Sequence, residues 1–361
     1  MITHVNNNLH PSAKARGSIS GEKGNGNGHS SSGQALSGLR PIDKTAEFLT
    51  KKLLSDLPQQ YPGKVHVAGQ LDLAKLPCHV ACTSAPIQMV AVQAPTYLDW
   101  DPKKPLNGRE MENADQRPDR SKAVKQHENF VRTLLNLGVE VVVLPPSPSR
   151  LEGTFTCDIV FVIGDKAFAA NMVSPVRQPE EATVINGIKP PAHIKIEGGN
   201  VLPYGDFVFL GVGDRTSEDA PAWLQGELGD SKLVIPLHLK TTQYDSSGRI
   251  TEPGILHADC VFLPLDKGRA LIHEPAFTDP EEVKLVKKIF GGASGVHPSE
   301  VPILGLNAPC VNPDTRLVSK HAARTIEQLK EWKYQVVAVD MSEMIKAEGG
   351  PNCSMGRLFQ A

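Results

Sequence analysis

Residues 257–277 read His257-Ala258-Asp259-Cys260-Val261-Phe262-Leu263-Pro264-Leu265-Asp266-Lys267-Gly268-Arg269-Ala270-Leu271-Ile272-His273-Glu274-Pro275-Ala276-Phe277. Two apolar runs inside this stretch, Cys260–Leu265 and Ala270–His273, read as strands. Downstream, Asp279-Pro280-Glu281-Glu282 opens a helix that runs through Phe290, with Asp as the cap and Pro in the first turn. Val301–Leu306 then reads as another strand. The order is strand, strand, helix, strand.

Working outward, the same order returns. Upstream lie Asn200-Val201-Leu202, Phe207–Leu210, a helix through Ala220–Leu228, and Lys232–Leu239. Before that, Ile159–Ile163 pairs with Ala167–Asn171 across Gly164-Asp165, a hairpin-turn dipeptide, with a poorly marked helix in Pro179–Ala182. Met89–Val92, a helix through Ala123–Leu137 and Val139–Leu144 make a first pass. Downstream, Cys310-Val311, Arg316–Val318, a helix through Ala322–Trp332 and Gln335–Val339 make a fifth. A repeated unit of this kind cannot bury its apolar faces alone and must stack on its neighbours. Residues 85–361 are therefore read as one α/β domain. Periodicity alone leaves a generic mixed sheet with one or two helical layers open beside a cyclic stack.

The N-terminal part differs. Residues 1–41 hold no aromatic side chain and are dense in Gly, Ser and Asn, which predicts a disordered tail. Residues 42–84 form an extension with a short helix over 42–56, where Ile42, Ala46, Phe48, Leu49, Leu53 and Leu54 fall at helical spacing. The 38 basic and 40 acidic residues leave a formal charge of -2, and aromatics make up only 5%. Neither a basic field nor an aromatic-studded stripe is present to bind nucleic acid. No apolar run is long enough to span a bilayer, and no signal-peptide layout opens the chain, so the expected place is the cytoplasm. Cysteines at 78, 82, 157, 260, 310 and 353 then read as reduced thiols. Cys78-His79-Val80-Ala81-Cys82 lacks a second ligand pair at zinc spacing, so no metal is expected.

Chemically active residues gather at the ends of the predicted strands: Cys157-Asp158, Glu197-Gly198-Gly199-Asn200, His257-Ala258-Asp259 and Gly349-Gly350-Pro351-Asn352-Cys353. A planar guanidinium explains these residue types. Asp158 and Asp259 suit bidentate, charge-assisted bonds to its N–H groups. The thiolate of Cys353 suits attack on its carbon, and a cation nearby would lower the thiol's pKa. His257 can protonate the departing amine and later deprotonate water, with Glu197 favouring its charged form. His238, in Pro236-Leu237-His238-Leu239, is a rival imidazole and is read as a strand residue.

In order along 85–361, FTCD, EGGN, GVGDRTS, HADCVFLPLDKGRALIHEPAF and GGPNCSMG resemble the guanidino-group modifying superfamily of arginine deiminases, amidinotransferases and dimethylarginine dimethylaminohydrolases. The resemblance implies the pentein fold, a five-bladed α/β propeller of pseudo-fivefold ββαβ modules with its site in a central channel and no metal or organic cofactor. It also implies Cys353 as nucleophile, His257 as general acid/base and Glu197 as the supporting carboxylate. Asp158 and Asp259 would hold the guanidinium, and Arg215 would grip a substrate carboxylate. Three positions depart from the pattern: Asn200 replaces the usual Asp, Ala258 the usual Leu, and Asn352 the usual His before the cysteine. Asn352 cannot titrate and could only orient substrate, product or water. The expected activity is hydrolysis of an arginine-like guanidine through an S-amidino intermediate on Cys353. The alternatives are amidino transfer to an amine and, in a different class, a non-catalytic propeller that binds. The partner is a small guanidino molecule, and a homodimer is compatible with the sequence.

Overall fold

A tight turn suffices to join antiparallel strands, whereas a parallel neighbour needs a crossover of about a dozen residues. The described residues of this computed structural model, 38–247 and 249–361, use that pair of connections repeatedly. Val201–Tyr204 runs antiparallel to Phe207–Val212, which pairs in parallel with Leu233–His238 after the helix Ala220–Leu228. Phe262–Pro264, Arg269–Ile272 and Gly292–Gly295 repeat the arrangement around the helix Pro280–Ile289. Cys310–Asn312, Thr315–Ser319 and Gln335–Val339 repeat it around Ala323–Glu331.

Two units are modified. In one, Val160–Ile163 and Lys166–Ala169 form a hairpin through Gly164, whose φ of 54° suits glycine. Its helix is only Gln178–Glu181, and Val184–Ile185 pairs with Leu71–Asp72. The other unit draws on both ends of the chain. Ile87–Gln93 pairs in parallel with Glu140–Leu144, after the helix Arg120–Asn136, and antiparallel with the C-terminal strand Gly356–Gln360. The strand that follows Cys353 thus completes the first unit. Cys353 itself backs onto the apolar cluster under this sheet, with Phe155, Val311, Met344 and Met355.

One predicted strand is absent. Residues 301–306 form turns in which Leu304 takes a left-handed φ of 55°, which breaks an extended run. The parallel partner of Arg269–Ile272 is instead Gly292-Ala293-Ser294-Gly295, which has no apolar pattern to read. The predicted short helix extends over Lys44–Gln60, capped by the Asp43 carboxylate, which accepts the Thr45 and Ala46 N–H groups. It buries Ala46, Leu53 and Leu57 but leaves Ile42 and Phe48 exposed. After it, Val65–Val67, Leu71–Asp72 and His79–Val80 each add to a strand of the repeated units. The tail expected over 1–41 lies outside the described residues as far as residue 37. Among the described residues no helix is long and apolar enough to cross a membrane.

Candidate active site

Short helical turns at the starts of inner strands position the site. Asp158 lies in Thr156–Ile159, Glu197 precedes the turn Gly198–Asn200, and His257 precedes the turn Ala258–Cys260. The Asn200 side chain ties two of these together, accepting the Ala258 N–H at 2.8 Å and donating to Thr216 Oγ1 at 2.9 Å. His257 is wholly buried. Its Nε2 lies 2.9 Å from Glu197 Oε2, and its Nδ1 lies 3.5 Å from Asp158 Oδ1. A Cβ on residue 199 would come within 2.7 Å of that imidazole and 2.9 Å of Asp158 Oδ1, so the second glycine of the Glu-Gly-Gly segment is a packing necessity.

Charge sets the protonation states on this side. Burial would raise the pKa of Glu197, but Arg215 and the hydrogen bond with His257 bring it down to about 2. Burial lowers that of His257, and the carboxylates of Asp158, Glu197 and Asp259 outweigh it, so the imidazole stays charged above its ordinary value. Asp158 Oδ2 accepts a hydrogen bond from Arg177 Nη1 at 2.7 Å. The buried Arg177 also contacts Glu180 at 2.8 Å and Glu152 at 3.3 Å. Arg215 donates to the Leu106 carbonyl at 2.6 Å and places Nη1 3.6 Å from Glu197 Oε1.

On the sulfur side, Cys353 Sγ lies 3.7 Å from Asp259 Oδ2 and 3.2 Å from Asn307 Nδ2. Asp259 Oδ2 also accepts from Asn352 Nδ2 at 2.7 Å and Asn307 Nδ2 at 2.9 Å, while Cys260 Sγ sits 3.5 Å from Oδ1. The thiol of Cys353 lies above its ordinary pKa. A hydrogen bond from Cys260 pulls it down, but burial and the carboxylates of Asp259 and Asp158 push it up further. Burial likewise raises Asp259, against the opposing pull of His257.

The seven residues singled out from sequence therefore lie in one connected set, with Asp259 and the turn after His257 joining its two sides. Among the described residues, an amide and the Asp259 carboxylate face the Cys353 sulfur, and the cation expected beside it remains the substrate's own. The two glycines before Pro351 serve internal packing: a Cβ at 349 would meet the Phe155 ring, and one at 350 would lie 2.6 Å from Asn307 Oδ1. His238 sits at the end of its strand, 2.5 Å from Glu282, apart from this set. His79, in the segment weighed for zinc, contacts Asp165, and among the described residues no metal-ligand cluster forms.

Arg177, Asn307 and Glu348 escaped the sequence reading. Glu348 is pushed by burial up to about 7, within electrostatic reach of Arg109, His257 and Arg215. Its position beside the two glycines was the available signal; Arg177 and Asn307 stand in loops without any. Several buried polar atoms here have no hydrogen-bond partner in the protein, including Asp158 Oδ1 and His257 Nδ1, which face each other only as an ion pair at 3.5 Å, and Glu348 Oε2 and Asn352 Oδ1. Buried polar atoms are normally satisfied, so such a group suits a polar ligand.

Residues 106–291, just over half of the chain, match the family described as "N,N dimethylarginine dimethylhydrolase, eukaryotic". The chain belongs to this family. With it comes membership of the guanidino-group modifying, or pentein, superfamily. The Bacillus subtilis protein YkgA, uncharacterised, is 32% identical over 63% of this chain and 77% of its own length. The dimethylarginine dimethylaminohydrolase of Mycobacterium tuberculosis is 27% identical over 64% and 74%. Among solved structures, the N-terminal domain of a cyanobacterial arginine dihydrolase superposes with a TM-score of 0.64 at 22% identity, covering 76% of this chain and 98% of that one. The Pseudomonas aeruginosa dimethylaminohydrolase, a Cys-to-Ser mutant complexed with citrulline, gives 0.60 at 18% identity over 75% and 99%. The α/β fold is shared with both.

Proposed function

We propose that this family member hydrolyses the guanidino group of an arginine-like substrate, with Cys353 as the nucleophile. The supporting observation is that a buried sulfur, a charged imidazole and a carboxylate oxygen without a hydrogen bond, Asp158 Oδ1, share one connected set of residues. A substrate cation meets Asp158 Oδ1, left open by Arg177, and Asp259. Arriving beside Cys353, it supplies the positive charge that the protein withholds from the sulfur, so the thiol releases its proton to solvent and the thiolate forms when there is a carbon to attack. Sulfur adds to that carbon and His257 gives its proton to the departing nitrogen. The neutral imidazole then takes a proton from water, which attacks the S-amidino carbon and releases a ureido product and the thiol. Glu197 holds the imidazole in place, and Arg215 reaches the substrate's carboxylate. Asn352, through its free Oδ1, orients substrate or water.

For architecture, the pairing of Ile87–Gln93 with Gly356–Gln360, which brings both ends of the repeated series into one unit, supports a five-bladed propeller with the site at its centre. For location, the six cysteines are unpaired, which suits the reducing cytoplasm.

The test is mass spectrometry of acid-quenched enzyme and products over a panel of guanidino compounds, with and without added amines. Turnover in water alone, with an amidino adduct on Cys353 that is missing in Cys353→Ser, is the expected result. Strict dependence on an amine would convert the reading to amidino transfer, and turnover retained by the Ser variant would end it.

A further inference from the structure

Asn307 stands in the loop before the strand Cys310–Asn312 and is 1% exposed. Its carbonyl Oδ1 accepts the backbone N–H groups of Asn352 at 2.8 Å and Cys353 at 3.2 Å. Those two donors fix which way the amide points, since an NH₂ group could not accept them. The Nδ2 group is thereby aimed at the sulfur of Cys353, 3.2 Å away, and at Asp259 Oδ2, 2.9 Å away. One amide thus grips the backbone of the nucleophile and donates to its sulfur. The tightness of this fit shows at residue 350, where any Cβ would press on the same side chain.

The alternatives to Asn307 as a donor are few. They are the Cys260 thiol, a weak donor, and the Gly350 backbone N–H. The arginines of the site are committed elsewhere, Arg177 to Asp158, Glu152 and Glu180, and Arg215 to Glu197 and Leu106. Asn352 spends its NH₂ on Asp259 and on Cys157. A neutral amide is suited to this place. It stabilises a sulfur anion by hydrogen bonding without adding a fixed positive charge, which would repel a cationic substrate.

We propose that Asn307 is a positioning residue that stabilises the Cys353 thiolate through its amide N–H and fixes the sulfur's place through its carbonyl. This rests on Cys353 being the nucleophile. Asn307→Ala removes the donor and the acceptor without adding charge, whereas Asn307→Asp keeps the acceptor for both backbone N–H groups, removes the amide donor and adds a negative charge that itself raises the thiol.

The experiment is the pH dependence of iodoacetamide alkylation of the full chain, with the labelled site read by peptide mass spectrometry and folding checked by thermal melting. In both variants the midpoint for Cys353 labelling is expected to rise by at least about one pH unit, a tenfold loss of thiolate at neutral pH. The fall in activity should appear mainly in kcat/KM at low pH and be partly recovered at high pH. An unchanged midpoint in Asn307→Ala with wild-type melting overturns the inference, as does a rise confined to Asn307→Asp, which its added charge explains. The reading of Cys353 as nucleophile is judged separately, by whether the wild-type chain carries an amidino adduct there.

Discussion

The two sides of the site are built from different materials. Around His257 the neighbours are charged: Glu197, Asp158, Arg177, Arg215, Glu152 and Glu180 form a buried ionic network. Around Cys353 they are amides and a thiol, from Asn307, Asn352 and Cys260, with the carboxylate of Asp259 in contact. A proton shuttle needs a pKa set by opposed charges. A sulfur that must wait for a cationic substrate is better served by neutral donors.

The sharpest way to break this contrast is to remove a charge from the first side. Arg177→Met leaves Asp158, Glu152 and Glu180 buried together without their common counter-ion. Loss of one partner from such a network costs about 3–5 kcal/mol, and chemical denaturation should read that loss directly. A destabilisation no greater than that of a surface substitution would mean that the network is not what holds this side.

Glu197→Gln is gentler on the fold and acts on the shuttle. Glu197, lowered to about 2, stabilises the folded state above its unfolded value near 4.5, and that stability is lost as pH falls toward 2. His257 is raised, so its contribution is complete below an unfolded value near 6.5 and disappears as pH rises through the folded pKa. The pair therefore stabilises most between about pH 4.5 and 6.5, and the melting advantage of wild type over the variant should peak there. The alkaline limb of kcat/KM should move to lower pH by about one unit. A limb that stays in place would detach Glu197 from the proton transfer.

The smallest effect belongs to the sulfur side. Cys260→Ala deletes a weak donor while leaving Asn307 in place. The Cys353 labelling midpoint should move up slightly, and activity at neutral pH should fall by about twofold to threefold. A larger change than that of Asn307→Asp would make Cys260, not the amide, the principal donor.

Much of this was legible beforehand because it is local. The helices over Ala220–Leu228 and Pro280–Ile289 carry their own periodicity and caps, and the strand Gln335–Val339 carries its own apolar run. Glu197, His257 and Cys353 stand in ordered motifs at strand ends, so their types and sequence could be read together. Gly292–Gly295 could not be read, because nothing in Gly-Ala-Ser-Gly marks a strand until Arg269–Ile272 lies beside it. Arg177 and Asn307 were equally silent, being polar residues in loops until folding aims them at Asp158 and Cys353.

The amino-acid order alone settled which functional groups are available and where the capped helices of the repeating units lie, since propensity and capping act over a few residues. Tertiary structure alone decided that Asp158 is shared with Arg177, that burial together with nearby carboxylates holds the Cys353 thiol above its ordinary pKa, and that the last strand pairs with the first of the repeats. Those outcomes depend on burial and on distances between residues far apart in the chain, and no local pattern encodes either.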